Sequence, residues 1–417
     1  MIRGQAIITA RRPTGTMSTP RIGADMRFGD DVLNRIYRKG MLEGETPEFP
    51  VSYEDLRKQA HDAMSEEARA YIHGGAGSET TFRREQDFSE WRILPRMLQG
   101  VEERDLSTEF LGREIDFPLM ITPLGVQTLA HKEGEIATAR AANELNVPFI
   151  LSSLSSTPME EVADALGNTS KYFQFYWSSD EDIARSFLNR AEEAGYDGIV
   201  LTVDAPILGW RERLVERGYY PFLEGEGVAN YFSDPAFRSR LDVPPEEDPD
   251  AAVKEFLDIF GDSSLTWDDL SFLFENTDLP VHVKGVLHPE DARNAIEAGA
   301  DGVGVSTHGG RQVDGSVTAL EALPGVVEAV NEADDETTVT FDSGIRRGSD
   351  VFRALALGAD ACLLGRPFIY GLALGGQEGV EHVLETILAD FDLTMGLAGR
   401  DAASEIDSSA VRHESEF

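Results

Sequence analysis

The sequence predicts an α/β fold, a parallel (β/α)8 barrel of the TIM type with an N-terminal helical arm and a long insertion after the fourth strand. Three observations predict it. Short apolar runs alternate with segments of helical periodicity along most of the chain. Charged residues gather where consecutive runs end, which is where barrels of this kind keep their chemistry. One connection, Ile207 to Leu265, is far longer than the others and holds the proline-rich stretch Pro244-Pro245-Glu246-Glu247-Asp248-Pro249.

Taken in order, residues 1–50 read as an N-terminal extension, partly disordered, and 51–417 as the barrel unit, with 207–265 a lid insertion on the catalytic face. Met1 to Asp25 lacks the apolar core of a signal peptide, and Met17 begins a more ordinary start, so the first sixteen residues are expected to be disordered or a mis-called extension. Tyr53 to Ala70 is predicted as one helix from the spacing of Leu56, Ala60, Met64 and Ala68, with Ser52 as N-cap. It runs into Tyr71-Ile72-His73-Gly74-Gly75, which by itself reads as a helix stop. Arg92 to Leu98 and Glu109 to Asp116 form a connecting arm. Barrel strands are then expected at Pro118–Pro123, Pro148–Ser152, Tyr172–Trp177, Asp197–Asp204, Pro280–Gly285, Gly302–His308, Thr338–Asp342 and Ala361–Gly365, with helices such as Glu133–Leu145, Glu181–Ala194, Pro289–Ala298 and Gly348–Leu357 between them. An open doubly wound sheet is the alternative, but no G-x-G-x-x-G follows the first strand.

Composition narrows the partners. The 417 residues include 75 acidic and 37 basic side chains, a formal net charge of −38. Such a surface repels phosphate backbones and anionic lipid, excluding nucleic acid and membrane as partners. The acidic excess is spread along the chain and lysine is scarce beside arginine, which points to a surface suited to a salt-rich cytoplasm and a halophilic source. The lone Cys362 excludes an intramolecular disulfide. No apolar run approaches the roughly 18 residues that span a bilayer, so a cytoplasmic protein is expected.

The candidate chemistry lies at the strand ends. Lys284 ends the fifth strand, and Ser306-Thr307-His308-Gly309-Gly310-Arg311 ends the sixth with an imidazole and a guanidinium three residues apart. Asp342 and Ser343, with Gly344 and Arg346, follow the seventh strand, and Gly365 with Arg366 follows the eighth. Arginines beside glycines after the last two strands suit a bound phosphate, because glycine lets the backbone approach an anion closely. Earlier strands contribute neutral hydrogen-bonding groups: Pro123, Leu124 and Gly125; Ser152; Gln174 with Tyr176; and Thr202, followed by Asp204 and Arg211. A phosphate end and a neutral polar wall together imply a phosphorylated planar cofactor across the barrel mouth. No metal site is expected.

With Lys284-Gly285-Val286, Ser306-Thr307-His308-Gly309-Gly310-Arg311-Gln312 and Asp342-Ser343-Gly344-Ile345-Arg346-Arg347-Gly348 in this order, the chain resembles the FMN-dependent L-2-hydroxy acid oxidases from about Ser52 to Ser408. Pro123-Leu124-Gly125-Val126, Tyr176-Trp177-Ser178, Leu208-Gly209-Trp210-Arg211 and Ser306-Thr307-His308 look most like the lactate 2-monooxygenase branch. Other branches usually carry Ala at the place of Gly125 and Asn at that of Thr307, so Gly125 is expected to add space beside the flavin, and Tyr219, Tyr220, Phe222 and Tyr231 of the insertion to supply a lid over the mouth. The resemblance implies FMN bound by the strand-end set above, with His308 the base, Asp204 its partner, and Arg211 and Arg311 the clamp on the substrate carboxylate. It also implies hydrogen bonds from Tyr71 and Tyr176 to substrate, and Lys284 against the N1/C2 carbonyl edge of the flavin. The implied partners are a small 2-hydroxy carboxylate such as lactate, molecular oxygen, and copies of the chain in a homo-oligomer, a tetramer or larger. Isopentenyl diphosphate isomerisation on FMN competes with this reading, but a diphosphate substrate calls for more basic groups at the mouth; a non-catalytic flavin protein would have lost one of the groups present.

Overall fold

Eight short runs of small, branched and aromatic residues pair in parallel, each with its neighbours in sequence, and the last closes on the first. The computed structural model describes residues 27–334 and 336–417. The barrel strands are β1 (Leu119–Ile121), β2 (Phe149–Ser152), β3 (Lys171–Phe175), β4 (Gly198–Thr202), β5 (Val281–Val286), β6 (Gly302–Val305), β7 (Thr338–Phe341) and β8 (Ala361–Leu364). Leu363 of β8 stands opposite Met120 of β1, which completes the ring. Most strands end before the apolar run does, because the last residues of the run already belong to the loops that carry the site; β2 ends with its run at Ser152, and β5 runs one residue past Gly285.

The alternation in Gly302-Val303-Gly304-Val305 has a packing cause. A Cβ on Gly302 would come within 2.4 Å of His282 Nδ1, and one on Gly304 within 2.8 Å of its Nε2. The two glycines therefore make room inside the barrel for the His282 ring, which meets Thr340 Oγ1 at 2.9 Å, while the valines are buried in the core shared with the surrounding helices. Burial, with Lys284 nearby, pushes the His282 pKa down to about 3, so the ring is neutral.

Below it, the connecting arm becomes a plug. Thr108–Phe110 and Arg113–Ile115 form a hairpin turned by Leu111 and Gly112, both at positive φ as a two-residue turn demands. Phe110 packs edge-on against Tyr172, with ring centroids 4.8 Å apart, and closes the barrel interior. Trp91–Ile93 pairs antiparallel with Val411–His413 near the chain end.

The helix expected over Tyr53–Ala70 is two helices, Tyr53–Ala63 and Glu66–His73. Met64 leaves the first in an extended conformation, and Ser65 starts the second by accepting from Ala68 N at 3.1 Å. Periodicity alone misses the break, because the buried positions stay in step across it. The second helix carries Tyr71 to the barrel mouth, so its glycine exit is more than a stop. Earlier still, helix Phe28–Arg38 packs on the helix that follows β8, where Arg104 bridges Asp392 and Asp30. The disorder expected of the first sixteen residues lies outside the described residues. No helix among them is long and apolar enough to cross a membrane.

The insertion after β4 has a core of its own. Asp248 caps helix Pro249–Ile259, so the acidic, proline-rich stretch before it is a helix start. Phe256, Tyr231 and Phe237 are fully buried, and the Tyr231 ring lies 4.8 Å from Phe256 and 4.9 Å from Phe187 of the barrel helix Glu181–Glu193. Buried Asp234 accepts from Ser186 Oγ at 2.7 Å and from Arg190 at 3.0 Å, a polar tie to the same helix. The segment is thus fastened to the barrel at several points.

Candidate active site

The loops leaving the C-terminal ends of the strands enclose a pocket of about 1170 Å³, counted to its open mouth. Its polar groups are arranged by unusual backbone. His308, Gly309 and Gly310 have φ of 55°, 66° and 71°, three consecutive residues in the left-handed region. This run turns the imidazole into the pocket; such strain persists only where neighbours over-determine it. Ser343, at φ 77°, holds the turn by accepting from Thr307 N at 3.2 Å and from Gly309 N at 3.0 Å.

His308 Nδ1 lies 2.8 Å from Asp204 Oδ1, and its Nε2 faces the pocket 3.5 Å from the Tyr176 hydroxyl. Burial is the largest influence on the imidazole; together with Lys284 and Arg211 it outweighs Asp204 and lowers the pKa, so the free ring is a neutral base. Burial works to raise the Asp204 pKa, but the His308 contact and Lys284 lower it overall, and its carboxylate stays charged. Lys284 Nζ reaches Asp342 Oδ2 and Ser306 Oγ, each at 2.8 Å. Burial opposes its charge, yet Asp342 and Asp204 prevail and raise its pKa, leaving a buried ammonium under the pocket floor. The phenols of Tyr71 and Tyr176 are held protonated by burial, ready to donate.

Four arginines, Arg211, Arg311, Arg346 and Arg366, converge here, and among the described residues none lies within ion-pair distance of a carboxylate. In a chain with twice as many acids as bases this calls for an explanation. Arg311 donates to the carbonyls of Tyr71 and Gly74 and lies over the Tyr71 ring at 5.3 Å. Burial and its neighbour Arg211 lower its pKa, a cost that a bound anion relieves. Arg211 is aimed by Gln312 Oε1 at 2.9 Å. Arg366 stacks over Phe82 and Arg346 over Tyr53, at 4.5 and 4.8 Å.

Nearly all residues singled out in the sequence meet at this pocket. Pro123, Leu124, Gly125, Ser152 and Thr202 line one wall; Asp342, Ser343, Gly344, Arg346, Gly365 and Arg366 line the other. Three stand behind the lining. Asp204 backs His308, Ser306 bridges Lys284 and Asp342, and Gln174 accepts from Ser152 Oγ at 2.9 Å. Buried polar atoms without a partner among the described residues cluster at the same place: Gln174 Nε2, Thr202 Oγ1, Arg346 Nε and Arg366 Nε. That set fits FMN, with neutral groups for the edge of a flavin ring and guanidinium groups for a phosphate.

Two expectations change. Gly125 does not leave open space beside the cofactor: a Cβ there would come 2.6 Å from the Leu154 carbonyl oxygen, so the glycine lets Leu154 close in. Trp210 is 66% exposed and does not line the pocket. Of the four insertion aromatics expected at the lid, Tyr220 and Phe222 reach the pocket, whereas Tyr219 and Tyr231 do not. Phe260 and Leu208 of the long connection, and Leu154 just after β2, line it without having been foreseen, because an apolar side chain in a loop carries no local sign of where it will pack. Phe222 lies 6.4 Å from the Tyr71 ring and 5.7 Å from Phe256; Phe256 lies 5.2 Å from Phe260, itself 5.6 Å from Tyr176. The insertion thereby builds a continuous aromatic wall between the two tyrosines.

Comparison with known proteins agrees with this geometry. A model of the family described as FMN-dependent dehydrogenase matches residues 60–413. An L-lactate oxidase of Lysinibacillus sphaericus is 43% identical over 352 residues, 84% of this chain and 90% of that protein. The FMN-dependent alpha-hydroxy acid dehydrogenase qulF of Penicillium citrinum is 40% identical over 382 residues, 91% of this chain and 94% of the other. The crystal structure of a mandelate oxidase superimposes with a TM-score of 0.76 at 36% identity, covering 87% of this chain and 98% of that one.

Proposed function

The chain belongs to the FMN-dependent dehydrogenase family, whose members here include 2-hydroxy acid oxidases and dehydrogenases, and from that premise we propose that it oxidises a small L-2-hydroxy acid, L-lactate in the first instance. The observation that carries the reading is the convergence of His308, backed by Asp204, with arginines that have no carboxylate partner among the described residues. A substrate carboxylate would take the fork of Arg311 and the charge of Arg211, with Tyr71 and Tyr176 donating to its oxygens. His308 Nε2 would then accept a proton from substrate, while Asp204 stabilises the imidazolium that forms. FMN, when bound, would supply the two-electron acceptor for the substrate. Lys284 would offset negative charge at the ring edge, and Arg346 and Arg366 would hold the phosphate.

In air we infer oxidative decarboxylation, L-lactate and O2 giving acetate, CO2 and water. The anchored aromatic wall supports it, since a shielded mouth keeps keto acid and peroxide together long enough to react. The second reading, favoured by the oxidase relatives, is release of pyruvate and hydrogen peroxide, or dehydrogenation to another acceptor. Anaerobic addition of L-lactate should bleach the flavin, and a count of acetate, pyruvate and peroxide under oxygen separates the outcomes. Matching pyruvate and peroxide would establish an oxidase; slow oxygen use with fast dye reduction, a dehydrogenase. Assembly of copies fits the exposed Trp210 and Val313 on adjoining loops beside the mouth, 66% and 64% accessible; light scattering reads the mass.

A further inference from the structure

Glu85 is buried at 3% exposure where the helix Thr80–Arg84 ends, outside the site described above. Its Oε1 accepts from Thr307 Oγ1 at 2.7 Å and from Ala319 N, in the first turn of helix Ala319–Ala333, at 3.1 Å. Among the described residues its Oε2 is buried without a partner. A buried carboxyl with one oxygen doubly engaged and the other unmatched is expensive for stability alone. The arrangement therefore invites a functional explanation.

The Thr307 hydroxyl links Glu85 to the base. While donating to Glu85 it accepts from Gly310 N at 3.1 Å, an amide shared with the Thr307 carbonyl at 3.1 Å, and so adds a side-chain tie across the left-handed run His308-Gly309-Gly310. Ser343 ties the inner half of that run and Thr307 with Glu85 ties the outer half. Gly310 in turn accepts from Ala76 N at 2.8 Å, in the segment that follows Tyr71. Without the Glu85 contact the hydroxyl is free to rotate, and nothing else among the described residues accepts from it.

We propose that Glu85 is a positioning residue for His308, acting through the Thr307 hydroxyl to hold the strained turn that aims the imidazole. This rests on the functional reading above. Besides burial, the Thr307 hydroxyl and the Ala319 amide, the charges bearing on Glu85 are Asp342 and Arg346 from the loop after β7. Burial, reinforced by Asp342, prevails and pushes its pKa up to about 8. The carboxyl accordingly changes charge in a range where enzymes are assayed.

The test compares Glu85→Ala, Glu85→Gln, Thr307→Val and the Glu85→Ala/Thr307→Val pair. It reads anaerobic flavin reduction against pH, KM, and the His308 signal in 15N-histidine NMR of apo- and FMN-loaded protein, assigned with His308→Asn. Glu85→Ala and Thr307→Val are each expected to slow reduction about tenfold or more with KM within about threefold, since a small misplacement of a base costs rate before binding. The pair should be no slower than the worse single, as members of one unit. Glu85→Gln, whose amide oxygen still accepts from Thr307, should recover most of the rate and remove a wild-type step near pH 8. The His308 signal should shift in both single variants and return in Glu85→Gln. Wild-type reduction rates in folded, FMN-loaded Glu85→Ala or in Thr307→Val, or additive losses in the pair, overturn the inference; if Glu85→Ala does not fold, Thr307→Val and Glu85→Gln decide. A wild type that no 2-hydroxy acid reduces would defeat the functional reading, and the NMR comparison would then still judge Glu85.

Discussion

His308 and Asp204 stand 2.8 Å apart, Nδ1 to Oδ1, although 104 positions separate them and they leave different strands. The contact fixes which ring nitrogen faces the pocket. His308→Ala should keep FMN but lose about 10² to 10⁴ in the rate of flavin reduction, the usual contribution of a positioned base. Stopped-flow bleaching with L-lactate measures it, and near-normal reduction would show that another group takes the proton.

The same pair predicts a pH profile. Because the His308 pKa lies below 6.5, its neutral form persists into mildly acid solution, and kcat/KM should fall only as pH drops through that lowered value. Asp204→Asn removes the group that raises this pKa, so the acid limb should move further down while the maximal rate falls. A limb that moves upward would contradict the assignment.

Arg311→Lys should raise KM for lactate by tenfold or more, roughly the 1.4 kcal/mol that a lost bidentate contact readily costs, and spare FMN content. Steady-state kinetics with parallel flavin absorbance separate the two effects. Loss of FMN with unchanged KM would place the side chain elsewhere.

Phe260 joins the insertion to Tyr176 with ring centroids 5.6 Å apart. Phe260→Ala opens the aromatic wall and should shift aerobic products from acetate toward pyruvate and peroxide, with anaerobic reduction nearly intact. An unchanged product ratio would mean that retention does not depend on this wall.

A net charge of −38 repels itself, and at 1 M salt the screening length falls to about 3 Å. The melting temperature should therefore rise with potassium chloride well beyond 0.15 M. A melting temperature independent of salt would contradict an adaptation to salt-rich cytoplasm.

The strands were legible because their signal is local: a buried parallel strand needs a continuous run of β-forming side chains whatever surrounds it. Helix Pro289–Ala298 was legible to the residue, since Pro289 opens it and Gly299, at φ 110°, ends it. The helix over Tyr53–Ala70 was not, because whether Ser65 caps a new helix or sits inside an old one depends on what lies beneath it. Most of the site was legible through motifs in which glycine, arginine and histidine crowd together at a strand end. Phe260 and Glu85 left no such mark: one is an aromatic residue in a long connection, the other a charged residue among charged neighbours.

The sequence by itself determined the barrel and the charged ends of its strands, because these follow from residue types set a few positions apart; His308 as the proposed base came with the family resemblance those strand ends carry. Only the tertiary structure decided how the insertion packs, that Gly125 admits Leu154 in place of open space, and that Glu85 lies under the Thr307 hydroxyl. Those are contacts between segments far apart in the chain. Their sign and strength depend on burial and orientation, which exist only once the barrel has closed.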